Sequence, residues 1–124
     1  MAKRNPLTRA EAELRKYALA YPQTTEEHPW GHRAIKVKGK TFVFLTLFDD
    51  LLRVTVKLPQ SGRVALLSPF AEPTGYGLGK SGWVTAKFSA TDDIPVDLLQ
   101  QWIDESFRAV APKKLVAQLD DAEG

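Results

Sequence analysis

The sequence predicts an α+β domain built on an antiparallel sheet, and three observations predict it. Between residues 34 and 58, segments that alternate apolar with polar side chains follow one another across two-residue turns. Helical periodicity occupies both ends of the chain. The regular strand–helix–strand alternation of a parallel, doubly wound sheet is missing. At 124 residues the chain suits one domain. That domain is expected over residues 6–119, with 1–5 and 120–124 as flexible ends.

The first element expected is a helix over residues 9–20. Thr8 and Glu11 form a T-x-x-E capping box, Leu7 precedes it as a hydrophobic staple, and Pro22 stops the run. Residues 34–38 alternate apolar with basic and read as a half-buried strand, with Gly39-Lys40 as its hairpin turn. Residues 41–48 are apolar at odd and even positions alike, which places them centrally, covered on both faces. Asp49-Asp50 supplies the next turn, and residues 52–58 alternate cleanly as a third strand of a meander.

A short middle helix is expected over residues 60–67. Residues 68–82 carry Pro69, Pro73, Gly75, Gly77, Gly79 and Gly82 and read as a loop. Residues 83–88 form a fourth strand. Residues 95–110 form a strong helix with Leu99, Ile103, Phe107 and Val110 on one face. After Pro112 comes a last helix carrying Leu115, Val116 and Leu119.

Composition narrows the function. With 44% hydrophobic and 26% charged residues, the chain is globular and not wholly disordered. Zero Cys removes disulfide scaffolds, thiolate nucleophiles and Cys-containing zinc sites together. The longest nearly apolar run, 42–48, is far short of the ~20 residues of a membrane span. Residues 1–6 are basic and lead into a charged helix, not the apolar stretch of a secretory signal, so a cytoplasmic location is expected.

Motifs with chemistry fail on context. The segment 74–81 resembles a phosphate loop, but Thr74 stands where the first glycine belongs, and a strand follows instead of a helix. Gly77-x-Gly79-x-x-Gly82 fits the dinucleotide fingerprint by letter and fails for the same reason. His28 and His32 have zinc spacing only on a helix, which Pro29 and Gly31 oppose; Pro29-Trp30-Gly31 reads instead as the entry to the sheet. No serine lies in a nucleophile elbow, and the Asp-Asp pairs sit in turns or at ends, where neighbouring side chains diverge. No catalytic residue, metal or cofactor is expected.

Charge is laid out unevenly. Residues 31–90 carry nine basic against three acidic side chains, whereas residues 91–124 carry three against eight. Alternating Lys and Arg keep the outer face of a sheet wet and its edges unsticky. Beside aromatic rings, the same residues make a surface that attracts polyanions, because cations displace counterions from phosphates.

One constellation is more specific. Pro-Trp-Gly-His (29–32) leads into Ile-Lys-Val-x-Gly-Lys-x-Phe (35–42), and a strand ends at Val56-Lys57-Leu58. Gly79-Lys80-x-x-Trp83-Val84 follows, and a helix closes with Glu105-Ser106-Phe107. This pattern resembles the MmcQ/YjbR family of small bacterial proteins over about residues 7–119. The positions that carry it are Trp30, Gly31, Lys36, Gly39, Lys40, Phe42, Lys57, Lys80 and Trp83. The resemblance implies a CyaY-like or secretion-chaperone-like domain, and a DNA-binding "double wing" role without known catalytic residues. Gly82 departs from the family pattern, where a bulkier residue often precedes the tryptophan.

The combined expectation is a non-enzymatic DNA-binding protein. Lys36, Lys38, Lys40, Arg53, Lys57 and Lys80 would contact phosphates, and Trp30, Tyr76 and Trp83 would stack or line a pocket. Two alternatives stand beside it: a protein-interaction module or homodimer, and a binder of a small anion or metabolite closed over by Lys80 and the glycine loop.

Overall fold

The computed structural model describes residues 6–28, 32–75 and 78–123. The elements are α1 (Pro6–Leu19), β1 (Thr24–Glu27), β2 (Arg33–Val37), β3 (Lys40–Phe48), β4 (Leu51–Lys57), α2 (Gly62–Ala65), β5 (Ala71–Pro73), β6 (Trp83–Ser89), α3 (Val96–Val110) and α4 (Lys113–Glu123). A 3₁₀ turn, Leu78–Ser81, precedes β6. The sheet has six strands in the order β1-β2-β3-β4-β6-β5, every neighbouring pair antiparallel. It is the expected α+β architecture, widened by an edge strand on each side.

Both edge strands escape the pattern of the sequence. β1 is Thr-Thr-Glu-Glu and β5 is Ala-Glu-Pro, too polar and too short to read as strands. Edge positions tolerate such sequences because only one side of the backbone needs a partner, and charge or proline there discourages pairing with another chain. Among the described residues, the rest of the glycine-rich segment is turns and the 3₁₀ turn, without a further strand.

Helix α1 starts at Pro6, earlier than the capping box implied. Pro6 suits a first turn, which needs no N–H, and Leu7 is a core residue of the helix rather than a staple before it. Glu11 faces Arg33 at 3.8 Å. The helix stops at Leu19, ahead of Pro22, and Gln23 takes a positive φ of 58°. The Thr24 hydroxyl donates toward the carbonyls of Leu19 and Tyr21 at 3.2 and 3.0 Å, satisfying the end of the helix.

The first hairpin turn is Lys38-Gly39, with φ of 51° and 81°, and not Gly39-Lys40. Two consecutive left-handed residues match the twist of the flanking strands. Asp49 and Asp50 do the same between β3 and β4, with φ of 56° and 58°. The middle helix shrinks to one turn, since residues 66–70 continue as turns. Helix α4 runs to Glu123 and takes in residues expected as a flexible end; Arg108 donates to Asp120 at 2.7 Å.

Strand β3 corrects an expectation. It is not covered on both faces. Its register against β2 passes from Ile35↔Val43 to Lys36↔Thr41, so Phe42 is the extra residue of a bulge. Phe42 and Val43 are consecutive and both fully buried, whereas Phe44 is half-buried and Phe48 is 71% exposed. The run looked doubly buried because a bulge and exposed aromatics together erase the period of two.

The core lies on the side of the sheet that carries α1 and α3. Leu7, Leu14, Leu99, Ile103 and Phe107 meet Ile35, Val37, Leu45, Val54, Val56 and Phe88 there. Phe107 stands edge-on to Phe42 at 5.2 Å and stacks on Tyr21 at 4.3 Å. The Tyr21 hydroxyl donates to Asp104 at 2.5 Å. Burial, then the neighbouring carboxylate, raise its ionisation well above that of a free phenol.

Ser106 ties α3 to the sheet. Its buried hydroxyl accepts from the Lys57 amide at 2.8 Å and donates to the Phe42 carbonyl at 2.5 Å. The hydroxyl thus bridges β3 and β4 just beyond the Val43–Val56 pair, where their ladder ends. Ser106→Ala leaves both backbone groups buried and unpaired. We expect it to lower unfolding free energy by about 1–3 kcal/mol in urea denaturation, with the far-UV spectrum unchanged.

Glu26 is the charged counterpart on the same side. It accepts from Arg15 at 2.6 Å and from Arg33 at 2.7 Å, and Arg15, then Arg33, hold its carboxyl down at about 2. A lowered carboxyl stabilises the folded state fully above its ordinary value near 4.5 and loses that contribution as pH falls toward 2. The stability difference between wild type and Glu26→Gln should therefore be constant near neutrality and close below about pH 4.5, reaching little at pH 2, in pH-stepped urea melts.

Candidate nucleic-acid interface

Alternation sends every second strand residue away from the helices. On β4 these are Leu51, Arg53, Thr55 and Lys57, each half-buried between fully buried neighbours. Register then assigns the rest of the face. Phe44, Thr46 and Phe48 lie opposite Thr55, Arg53 and Leu51, while Trp83, Thr85 and Lys87 lie opposite Lys57, Thr55 and Arg53. Among the described residues no helix covers this face.

Phe44 and Trp83 flank β4 with ring centroids 6.0 Å apart. Beside them the Thr85 hydroxyl lies 3.0 Å from both the Thr55 and the Thr74 hydroxyls, a polar ladder that fixes β4, β6 and the end of β5 relative to one another. His32 meets the Thr46 hydroxyl at 2.8 Å. The face is thus a shallow floor of rings and hydroxyls.

Its cations divide by position. Lys36 on β2 pairs with Glu27 on β1 at 3.1 Å, and Lys87 on β6 pairs with Glu72 on β5 at 2.7 Å. Both carboxylates come from the edge strands. Arg53 and Lys57, on the central strand, have no carboxylate partner among the described residues. Positive charge is therefore cancelled at the borders and left in the middle.

The six cations expected to act together do not share one surface. Lys36, Arg53 and Lys57 lie on the open face. Lys38 is in the hairpin turn, and Lys40 pairs with the core residue Val37, which places it toward the helix-bearing side. Lys80 lies in the 3₁₀ turn at the end of the sheet. Of the three rings expected, Trp83 is on the face; Trp30 and Tyr76 lie outside the described residues, as does Gly31. Strand alternation cannot reveal which cations converge, because that depends on strand order.

Phe44 and Arg63 went unnoticed in the sequence. Phe44 was hidden by the bulge two residues before it, which disguised its face. Arg63 lies in α2 and lines a cleft with Lys80, Ser81 and Trp83. Among the described residues no group of three or more His, Asp or Glu could hold a metal ion, and none of their helices is long and apolar enough to cross a membrane.

A family model, YjbR, matches residues 19–109. The chain belongs to the YjbR family. No curated protein matches it. Among solved structures, the YjbR chain is similar to the Deinococcus radiodurans protein DR2400, which carries a DUF419 domain. The two are 24% identical, and the TM-score is 0.65 over 79% of this chain and 75% of that one. That likeness shows a common fold. The YjbR match takes in the whole of the open face, including both residues of the Phe44–Trp83 pair.

The threonine ladder centres on Thr85, which is buried between its two hydroxyl partners. Thr85→Val keeps the volume of the side chain and removes both ladder hydrogen bonds. It should lower stability by about 1 kcal/mol in urea melts without changing the far-UV spectrum.

Proposed function

We propose that this YjbR protein is a non-enzymatic binder of single-stranded nucleic acid, DNA included, through the open face of its sheet. The observation that supports the reading is one juxtaposition: Phe44 and Trp83 at 6.0 Å on either side of β4, with Arg53 and Lys57 on that strand, neither with a carboxylate partner among the described residues. Bases stack on aromatic floors whatever their identity, and cations spaced along a strand meet the phosphates between them. Phe48, at the far end of the face and 71% exposed, extends the stacking surface. Two unpaired cations are too few to track a duplex backbone, so an unpaired strand is the better fit. Phosphate contacts of this kind position a strand and read no sequence.

Fluorescence anisotropy with a labelled oligothymidylate tests the proposal. The wild-type protein should bind at low salt, with log K falling against log salt at a slope of about −1.4 for two phosphates on a single strand. Arg53→Glu with Lys57→Glu should abolish binding while leaving the melting temperature close to wild type. Absence of binding at low salt, or binding that survives the double charge reversal, defeats it.

A protein-interaction role is the second reading, and a separate surface favours it. Val64 and Leu67 are 71% and 82% exposed in and just after α2, and Val64 lines a groove of about 650 Å³ against Leu98 and Trp102 of α3. Light scattering coupled to size exclusion distinguishes it: a dimer lost in Val64→Glu/Leu67→Glu supports assembly through this groove, and a monomer at all concentrations opposes self-assembly there.

A further inference from the structure

Strand β4 ends at Lys57 and β6 begins at Trp83, its register partner. The chain leaves β4 through a turn into α2 and enters β6 from the 3₁₀ turn Leu78–Ser81. The Leu58 amide donates to the Gly82 carbonyl at 2.8 Å and so joins the two turns, while within the first turn the Gly62 amide donates to the Leu58 carbonyl at 3.0 Å. Gly82 holds a φ of +90°, a conformation that side chains rarely adopt and glycine takes freely. Between the turns lies a cleft of about 550 Å³, with Arg63 and Lys80 on its walls beside Gln60, Ser81, Leu66 and Trp83.

The charge of this cleft is one-sided. None of its lining residues is acidic, and neither Arg63 nor Lys80 has an ion-pair partner among the described residues. Glu105, the carboxylate bonded to the adjoining turn, faces the neighbouring groove. Its oxygens accept from the Gln60 amide at 2.9 Å, the Ser61 amide at 3.0 Å and the Ser61 hydroxyl at 2.5 Å. It is committed to holding the turn and does not neutralise the cleft.

Two cations, a hydroxyl and an indole wall together select a ligand class. A phosphate monoester carries about −1.5 to −2 charge near neutrality, more than the single charge of a diester. An arginine fork and a lysine suit such a dianion, and the Trp83 indole suits a flat ring attached to it. We propose that the cleft binds a nucleoside monophosphate unit, its phosphate between Arg63 and Lys80 and its base against Trp83. The unit comes either as a free nucleotide or as the 5′-phosphorylated end of a strand lying on the open face. The second source rests on the open-face reading; the first does not.

Isothermal titration of the full-length protein separates these cases, using AMP against adenosine and a 5′-phosphorylated against a 5′-hydroxyl oligothymidylate. In at least one pair the phosphorylated member should bind about tenfold tighter, the factor that two solvent-exposed charge contacts supply. Arg63→Ala with Lys80→Ala should erase that preference and leave the affinity for the 5′-hydroxyl strand unchanged. Both side chains are exposed, so the double variant folds, and its circular dichroism verifies this. Equal affinities within both pairs, or a preference that survives the double variant, overturn the proposal. Preference for AMP without binding of either strand keeps the cleft and removes the open-face reading; strand binding with equal affinities within both pairs does the reverse.

Discussion

One extra residue in β3 decides which side chains this protein shows. At the bulge the chain spends Phe42 and Val43 on the same side, both fully buried. From there on, Phe44, Thr46 and Phe48 point away from the helices. Without the bulge, a shift of one residue would exchange the two sets. Phe44 would then enter the core, and the ring opposite Trp83 would be lost. The bulge is held from behind by the Ser106 hydroxyl, which bridges the Phe42 carbonyl and the Lys57 amide, and by Phe42 standing edge-on to Phe107. Helix α3 therefore fixes the parity of β3, and through it the composition of the opposite face.

Electrostatics follow from strand position. A net charge of +2 hides two unlike regions, yet regional totals are not what a ligand would meet. The edge strands supply Glu27 and Glu72, which neutralise Lys36 and Lys87. On the helix side, Glu26 draws in Arg15 and Arg33, and Arg108 is bound to Asp104 and Asp120, two carboxylates that raise its already high basicity. Five cations, Arg15, Arg33, Lys36, Lys87 and Arg108, thus serve the fold. Of those without an ion pair among the described residues, Arg53 and Lys57 lie on the central strand and Arg63 and Lys80 at the adjoining end of the sheet.

Much of the fold was legible because local physics wrote it. Helix α3 carries its apolar residues at helical spacing, β4 alternates over its whole length, and Pro22 and Pro112 mark breaks that the backbone respects. The edge strands were not legible, since Thr-Thr-Glu-Glu has neither apolar alternation nor β-branched density beyond its two threonines. The candidate site was legible in part. Trp83, Arg53 and Lys57 were singled out and lie together on one face. Lys38 and Lys40 were singled out with them, but a turn and a pairing register send them elsewhere. Arg63 was passed over, because nothing local distinguishes an arginine on a one-turn helix from any solvated surface residue.

The sequence alone determined the α+β class, the order of the principal elements and the family pattern, because these depend on side-chain periodicity, turn residues and motif spacing within short windows. Tertiary structure decided which charges cancel, which rings meet and where a cleft opens. Those outcomes depend on contacts between residues distant in the chain: Phe44 with Trp83, Lys87 with Glu72, Ser106 with both Phe42 and Lys57. Strand order and a single bulge set such distances, and neither is encoded in any local stretch of the chain.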